Sequence, residues 1–206
     1  MNLSQREYKI QDVITFAKTD SQFGGLSNMA PGYILFVNEV NIQSSEILYQ
    51  ACRFPLFPQI QEEILRTKSP MDGKIISRNY LAYTRQDWNS VKFKVMRWCL
   101  EVKLIQNYSK FSELLLTTGN KPIVEYSTKD SLWGASPSPS SKDILVGTNA
   151  LGRLLMELRE KIKSGTLTQT SIIYPLDIPA FLLFNKNISA VHNDDYFIHD
   201  LDEIYA

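Results

Sequence analysis

The stretch from Asp87 to about Asn107 sets what this chain can become. Val91, Val95, Trp98, Val102 and Ile105 recur at the i, i+4, i+7 spacing of one helical face, and Met96 and Leu100 widen it. With Asp87 available as a cap, the pattern predicts a long helix over 88–107, buried on one side, as the main core helix. Trp88 and Trp98 read as packing anchors on it rather than stacking platforms. A second stripe, Leu151, Leu154, Leu155, Leu158 and Ile162, follows Asn149 as N-cap, with Glu157 supporting Lys161 at i+4.

The remaining segments predict a helix-dominated α+β domain with a small sheet. Ile10 to Phe16 reads as a strand leading to the turn Phe23-Gly24-Gly25-Leu26-Ser27-Asn28, whose glycines suit a close backbone approach. Tyr33 to Val37 is a strand, and Val40 to Ile42 is its hairpin partner across Asn38-Glu39. Ile60 to Thr67 is amphipathic, Ser69-Pro70 starts a helix, and a helical stretch carries Arg78 and Arg85 into Asp87. Phe111 to Leu116 forms a shorter helix ending near Gly119, and Ile123 to Tyr126 forms a strand. Asp130 to Ser141, DSLWGASPSPSS, is too rich in Ser and Pro for extended regular structure, and its Trp133 is either a lid or a loop anchor.

At 206 residues the chain is the size of one ordinary domain. Its expected division is a compact domain over 1–164 and a C-terminal extension over 165–206. In the extension, apolar runs at 172–174 and 180–184 are bounded by Pro175 and Pro179. Asp194, Asp195, Asp200, Asp202 and Glu203 then interleave with Phe197, Leu201 and Ile204, an acidic amphipathic tail suited to docking a protein partner. His192 and His199 fit no tight metal-binding spacing, so neither a metal nor a cofactor is expected.

Lys and Arg number 22 and Asp and Glu number 22, which removes any overall electrostatic bias toward nucleic acid or anionic membrane. Cys52 and Cys99 both fall in apolar helical patterns and read as buried thiols in a reducing compartment. No run approaches the roughly 18 apolar residues of a membrane span, and the N-terminus has no signal-peptide core. A soluble, cytoplasmic protein is expected.

Two segments carry candidate chemistry. In SSEILYQACRF, residues 44–54, Ile47, Ala51 and Phe54 share one helical stripe while Glu46, Gln50 and Arg53 share another. With Ser44 as N-cap, Glu46 falls in the first turn, where the helix dipole favours its ionised form. Either this is a solvated helix face, or a fixed anion stands at one end of a polar strip. Likewise Gly147-Thr148-Asn149 leads into a helix whose backbone N–H groups either receive a phosphate or are simply capped.

These segments together resemble the NADAR family, whose best-known branch is the YbiA-like N-glycosidases. The resemblance rests on Phe23 with Leu26-Ser27-Asn28, Ser45-Glu46, Tyr49-Gln50-Ala51, Phe54, Ser69-Pro70, Arg78, and Arg85 with Trp88, Val91-Lys92 and Met96. It continues through Lys103, Gln106-Asn107, Leu114 to Leu116 with Thr118, Val124-Glu125, Asp130, Trp133-Gly134, Gly147, Asn149, Leu151-Gly152 and Leu154 to Arg159, in the family's order. It implies a YbiA-like α+β fold that binds ribosyl phosphates or ADP-ribose. The implied activity is cleavage of N-glycosidic bonds, in riboflavin-pathway intermediates or in ADP-ribosylated guanine. Glu46 is the implied acidic residue of the catalytic site, Trp133 a wall over the sugar, and Asn149 with Gly147 a ligand-binding edge. Ser27, Asn28 and Gln50 join that ligand-binding set, and Arg53, Arg78 and Arg85 are suited to phosphate. The implied partners are a nucleotide-like small molecule and ADP-ribosylated nucleic acid. Departures from the family at Ile47, Arg53 and Ala135, where active members usually carry His, Lys and Asp, imply an alternative. In it the chain binds or senses ADP-ribose or NAD-like nucleotides with impaired catalysis and docks a partner.

Overall fold

The computed structural model describes residues 4–193; the acidic tail from Asp194, with His199, lies outside the described residues. Strands β1 (Arg6–Lys9), β2 (Ile14–Phe16), β3 (Leu35–Val37) and β4 (Val40–Ile42) precede helices α1 (Ser45–Ala51), α2 (Pro58–Leu65), α3 (Pro70–Asn79), α4 (Trp88–Gln106) and α5 (Tyr108–Thr117). Strands β5 (Ile123–Glu125), β6 (Ser136–Ser138) and β7 (Ser141–Gly147), helix α6 (Ala150–Lys163) and short strands β8 (Leu182–Leu183) and β9 (Lys186–Asn187) follow. This is the α+β, helix-dominated class with small sheets. Among the described residues, contacts divide the chain into two units, one of residues 4–30 and 110–167, the other of 31–109 and 168–193.

In the first unit β7 lies between β1 and β6, antiparallel to both, and β2 pairs in parallel with β5. Tyr8, Val124, Ala135 and Leu145 form an apolar cluster with Val13 against it. Helix α6 packs on β5 and buries Leu151, Leu154, Leu155 and Leu158, while Ile162 is only partly covered. The Ser/Pro-rich stretch is more regular than its composition suggests. Pro137 sits in β6 opposite Leu145, at a sheet edge where the missing N–H of proline costs no ladder bond to a further strand.

In the second unit, Asn38 and Glu39 both adopt positive φ, 50° and 64°, and so turn β3 into β4 as a tight hairpin. Helix α1 packs against β4, α2, α3 and α4. The Gln106 side chain ties the end of α4 to β3, accepting from the Phe36 N–H and donating to its carbonyl, both at 2.8 Å. Arg85 is not on a helix. Helix α3 stops at Asn79, a 3-10 turn covers Leu81–Tyr83, and Arg85 lies in the loop before α4.

Residues 168–193 form a strap on this unit. Ile173 and Val191 bridge its ends, and Phe181, Leu183 and Ile188 are buried within it. The Trp98 indole N–H donates to the Tyr174 carbonyl at 3.0 Å, and the Trp98 ring meets Phe181 edge-on at 5.0 Å. Gln61, fully buried on α2, donates to the carbonyls of Leu182 at 3.0 Å and Ala51 at 3.3 Å, and its oxygen accepts from the Phe184 N–H at 2.8 Å. One side chain thus joins the end of α1 to the strap.

Gln61→Leu keeps the volume but removes the side-chain partner of the Leu182 carbonyl and the Phe184 N–H, while the Ala51 carbonyl keeps the Phe54 N–H. Each buried orphan costs about 1–3 kcal/mol. Urea unfolding is therefore expected to show a stability loss of about 3 kcal/mol, whereas a change below about 0.5 kcal/mol would deny Gln61 this role.

Candidate active site

Helix α1 is short because its start is fixed by Ser44, whose oxygen accepts from the Ile47 N–H at 3.3 Å, and Pro55 follows its end. All seven of its residues are buried, so the polar stripe faces the interior rather than solvent. Glu46 is 3% exposed and accepts from Gln50 Nε2 at 2.8 Å, one helical turn on. The Gln50 oxygen is also buried, and it has no hydrogen-bond partner among the described residues. A carboxylate withdrawn from water this far needs donors to hold it, and an amide that leaves its own acceptor unpaired is an uncommon way to supply one.

Arg53, the third member of the stripe, turns elsewhere. Its Nε donates to Thr84 Oγ1 at 2.9 Å, and its guanidinium lies 5.5 Å from the centre of the Trp88 ring. Burial pulls it below the ordinary guanidinium value, opposed by Tyr49, and among the described residues no carboxylate pairs with it. Arg85 is committed: Asp87 accepts from its Nε at 2.6 Å and its Nη2 at 2.9 Å, and the Pro179 carbonyl from Nη2 at 2.6 Å. That pairing, led by the hydrogen bond from Arg85, holds Asp87 below the usual carboxylate range. Asp87 occupies the cap position of α4 without a side-chain capping bond. Arg78 is exposed at the end of α3 and makes no ion pair among the described residues.

One buried charge on α4 escapes a reading of periodicity. Lys103 on α4 is 1% exposed, with its Nζ 4.1 Å from the centre of the Tyr33 ring, and burial pushes Tyr33 up. A lysine between Val102 and Leu104, one turn past Cys99 on the core helix, was the available signal. Cys52 and Cys99 are free and buried, as expected. Burial, then the neighbouring Cys52 thiol and the charge of Glu46, push Cys99 well above the usual thiol range.

The first unit holds the other candidates. Asp130 Oδ1 accepts from the N–H groups of Leu132 and Trp133 at 3.0 and 2.9 Å, so the loop is shaped by an Asx turn that presents a half-buried Trp133. The amides of Thr148, Asn149, Ala150 and Leu151 donate to the carbonyls of Ser131, Gly134, Leu132 and Trp133, so the approach to α6 is closed on its own chain. Asn149, fully buried at φ 51°, does not cap the helix with its side chain. Its Nδ2 donates to the Ile123 carbonyl at 2.8 Å and its Oδ1 accepts from the Glu125 N–H at 3.1 Å, pinning β5. A side chain at Gly147 would meet the Gly134 carbonyl at 2.4 Å, which reserves that position for glycine. Ser27 and Asn28 are buried behind the 3-10 turn Gly24–Leu26, and Ser27 Oγ accepts from the Met29 N–H at 3.1 Å. The structure thus brings Glu46 and Gln50 together in one unit, with Arg53 directed to Thr84. In the other it brings Gly147, Asn149 and the Trp133 loop together. No cluster of three or more His, Cys, Asp or Glu suited to a metal occurs among the described residues.

Residues 15–163 match the model of the NADAR domain. The N-glycosidase YbiA of Shigella boydii is 36% identical over 157 residues, 76% of this chain and 92% of that protein. A riboflavin biosynthesis protein of Vibrio vulnificus is 33% identical over 154 residues, 75% of this chain but 40% of its own length. The solution structure of Escherichia coli YbiA superposes with a TM-score of 0.63 at 34% identity, covering 78% of this chain and 90% of that one.

Asn149→Ala removes both bonds to β5 and leaves a buried amide and carbonyl unpaired. Thermal and urea unfolding are expected to report a loss of about 3 kcal/mol, while an unchanged midpoint would mean that the bonds contribute nothing.

Proposed function

The chain belongs to the NADAR family, and from that premise we propose that it is an N-glycoside hydrolase. It breaks the bond between ribose C1′ and a base nitrogen in a ribosyl phosphate or ADP-ribosyl conjugate, either free or on nucleic acid. Breaking that bond leaves positive charge on the sugar, and a nearby carboxylate stabilises it. Glu46 is that carboxylate. It takes a proton from the attacking water as the water oxygen bonds to C1′; the base leaves with the bonding electron pair and takes a proton from solvent, to which Glu46 returns its own. The Gln50 N–H orients the carboxylate, and the unpaired Gln50 oxygen suits a ribose hydroxyl. Arg53 binds phosphate with its remaining donors.

The observation that carries this reading is the burial of Glu46 against Gln50. An acid with only a structural task is favoured at the surface, and one held in the interior with a polar neighbour has its chemistry adjusted by its surroundings. N-glycosidase activity in a relative with 36% identity over most of both chains supports the reaction class.

Arg53 favours a second reading, in which the protein binds ADP-ribose and does not hydrolyse it. A guanidinium stays protonated and donates, so it does not serve as a nucleophile toward C1′.

Wild type and Glu46→Gln, incubated with ADP-ribosylated guanine and with aminopyrimidine ribosyl phosphates, separate the two readings. Hydrolysis is expected from the wild type, with kcat lowered about 10²- to 10⁴-fold in the variant and ADP-ribose binding retained. Folded protein that binds ADP-ribose but turns over neither substrate would establish the second reading. Equal turnover by Glu46→Gln would remove Glu46 from the chemistry.

A further inference from the structure

The family match ends at Lys163, yet the chain beyond it reaches the loop that holds Arg53. Arg53 is gripped at two points by adjacent residues: its carbonyl accepts from the Arg85 backbone N–H at 3.1 Å, and its Nε donates to Thr84 Oγ1 at 2.9 Å. Arg85 is in turn fastened to Asp87 within the loop and to the Pro179 carbonyl in the strap. We propose that residues 168–193 set the direction of Arg53 toward an anionic ligand, with Arg85 as the positioning residue and the Pro179 carbonyl as its anchor.

The strap is built to hold that carbonyl still. Pro179 fixes its own φ, and the next residue, Ala180, sits at φ 47°, a left-handed conformation that residues with a Cβ adopt only under strain. Strain of this kind persists only where the surroundings enforce it. The corner is pegged on both sides, by the Trp98 indole at Tyr174 and by the Gln61 amide at Leu182 and Phe184.

Arg85 is poorly arranged for stability alone. Its side chain is 5% exposed, and its Nη1 is buried with no hydrogen-bond partner among the described residues. A buried guanidinium with an unmet donor is expensive, which is readily understood if its geometry is what the fold retains. The guanidinium of Arg53 beside the Trp88 ring then has little freedom left, and an ordered cation loses less entropy on gripping a phosphate.

The proposal rests on Arg53 as a ligand-binding residue, and the test keeps the two claims apart. Calorimetric titration of the full chain with ADP-ribose, repeated across salt concentrations, compares Arg53→Gln, Thr84→Val, Thr84→Ser and Arg85→Lys. Arg53→Gln is expected to weaken binding tenfold or more and to flatten the salt dependence. Thr84→Val and Arg85→Lys each weaken it about tenfold and flatten it likewise, consistent with loss of one oriented ionic contact. Thr84→Ser, which keeps the hydroxyl, stays within about twofold of wild type. A merely structural role would lower the binding-competent fraction and leave affinity and salt slope unchanged. Wild-type binding by Arg53→Gln, or no binding by the wild type, would overturn the premise and the proposal with it. Weak binding by Arg53→Gln beside wild-type affinity in both Thr84→Val and Arg85→Lys would overturn the positioning claim alone. Should Arg85→Lys fail to fold, Thr84→Val decides.

Discussion

A helix of seven residues with no side left for water has only the protein interior to hold the polar side chains it carries. That requirement governs α1. Its acid and amide, Glu46 and Gln50, satisfy part of each other across one turn, and the turn is fixed because Ser44 caps the start. Had the same stripe faced solvent, water would have served both groups and neither side chain would be held. Burial converts an ordinary polar stripe into an oriented carboxylate, and the chemistry proposed for the protein depends on that orientation.

The surroundings of α1 follow from the same requirement. Helices α2, α3 and α4 and strand β4 enclose it, and the enclosing residues include polar ones with specific tasks. Gln61 closes the carbonyl of Ala51 at the helix end and reaches the strap with the same amide. Cys52 and Cys99 are free thiols buried in the interior, one at the end of α1 and one on α4, and burial pushes the Cys99 thiol well up. Immediately past the helix, Arg53 leaves the interior stripe and is captured by Thr84 and Arg85. The unit therefore offers a fixed acid and a fixed cation within two helical turns of chain, a combination suited to a ribose that carries phosphate.

Much of this was legible in the amino-acid sequence, and what was missed has physical causes. The α1 stripes, the Ser44 and Ser69 caps, the Asn38-Glu39 hairpin and the leucine face of α6 all follow from local spacing. Whether the Glu46 stripe faced water or the interior was not readable, because a polar stripe has the same period in either case. Strand β1 has exposed Arg6, Glu7 and Lys9 around a single buried Tyr8, and β6 reads Ser-Pro-Ser, so neither has the apolar run that marks a strand; β7 has one, Ile144-Leu145-Val146, behind the exposed pair Lys142-Asp143. Asn149 occupies the predicted cap position, but its side chain does not cap: it pins a strand that lies 24 residues earlier in the chain, a partner no local pattern discloses. Arg85 looked free to bind phosphate, although Asp87 two residues on was an available hint that it would be paired. Gln61 sits on the buried stripe beside Ile60, Ile64 and Leu65, and a glutamine among those neighbours was the signal for an interior task.

The most direct measurement is a crystal structure of the protein with ADP-ribose bound. The account predicts ribose C1′ within about 4 Å of a Glu46 carboxylate oxygen, near enough for one water to lie between or beside them, and a phosphate oxygen on the Arg53 guanidinium. A ligand seated with C1′ more than about 8 Å from Glu46 would be out of reach even through one water and would contradict it.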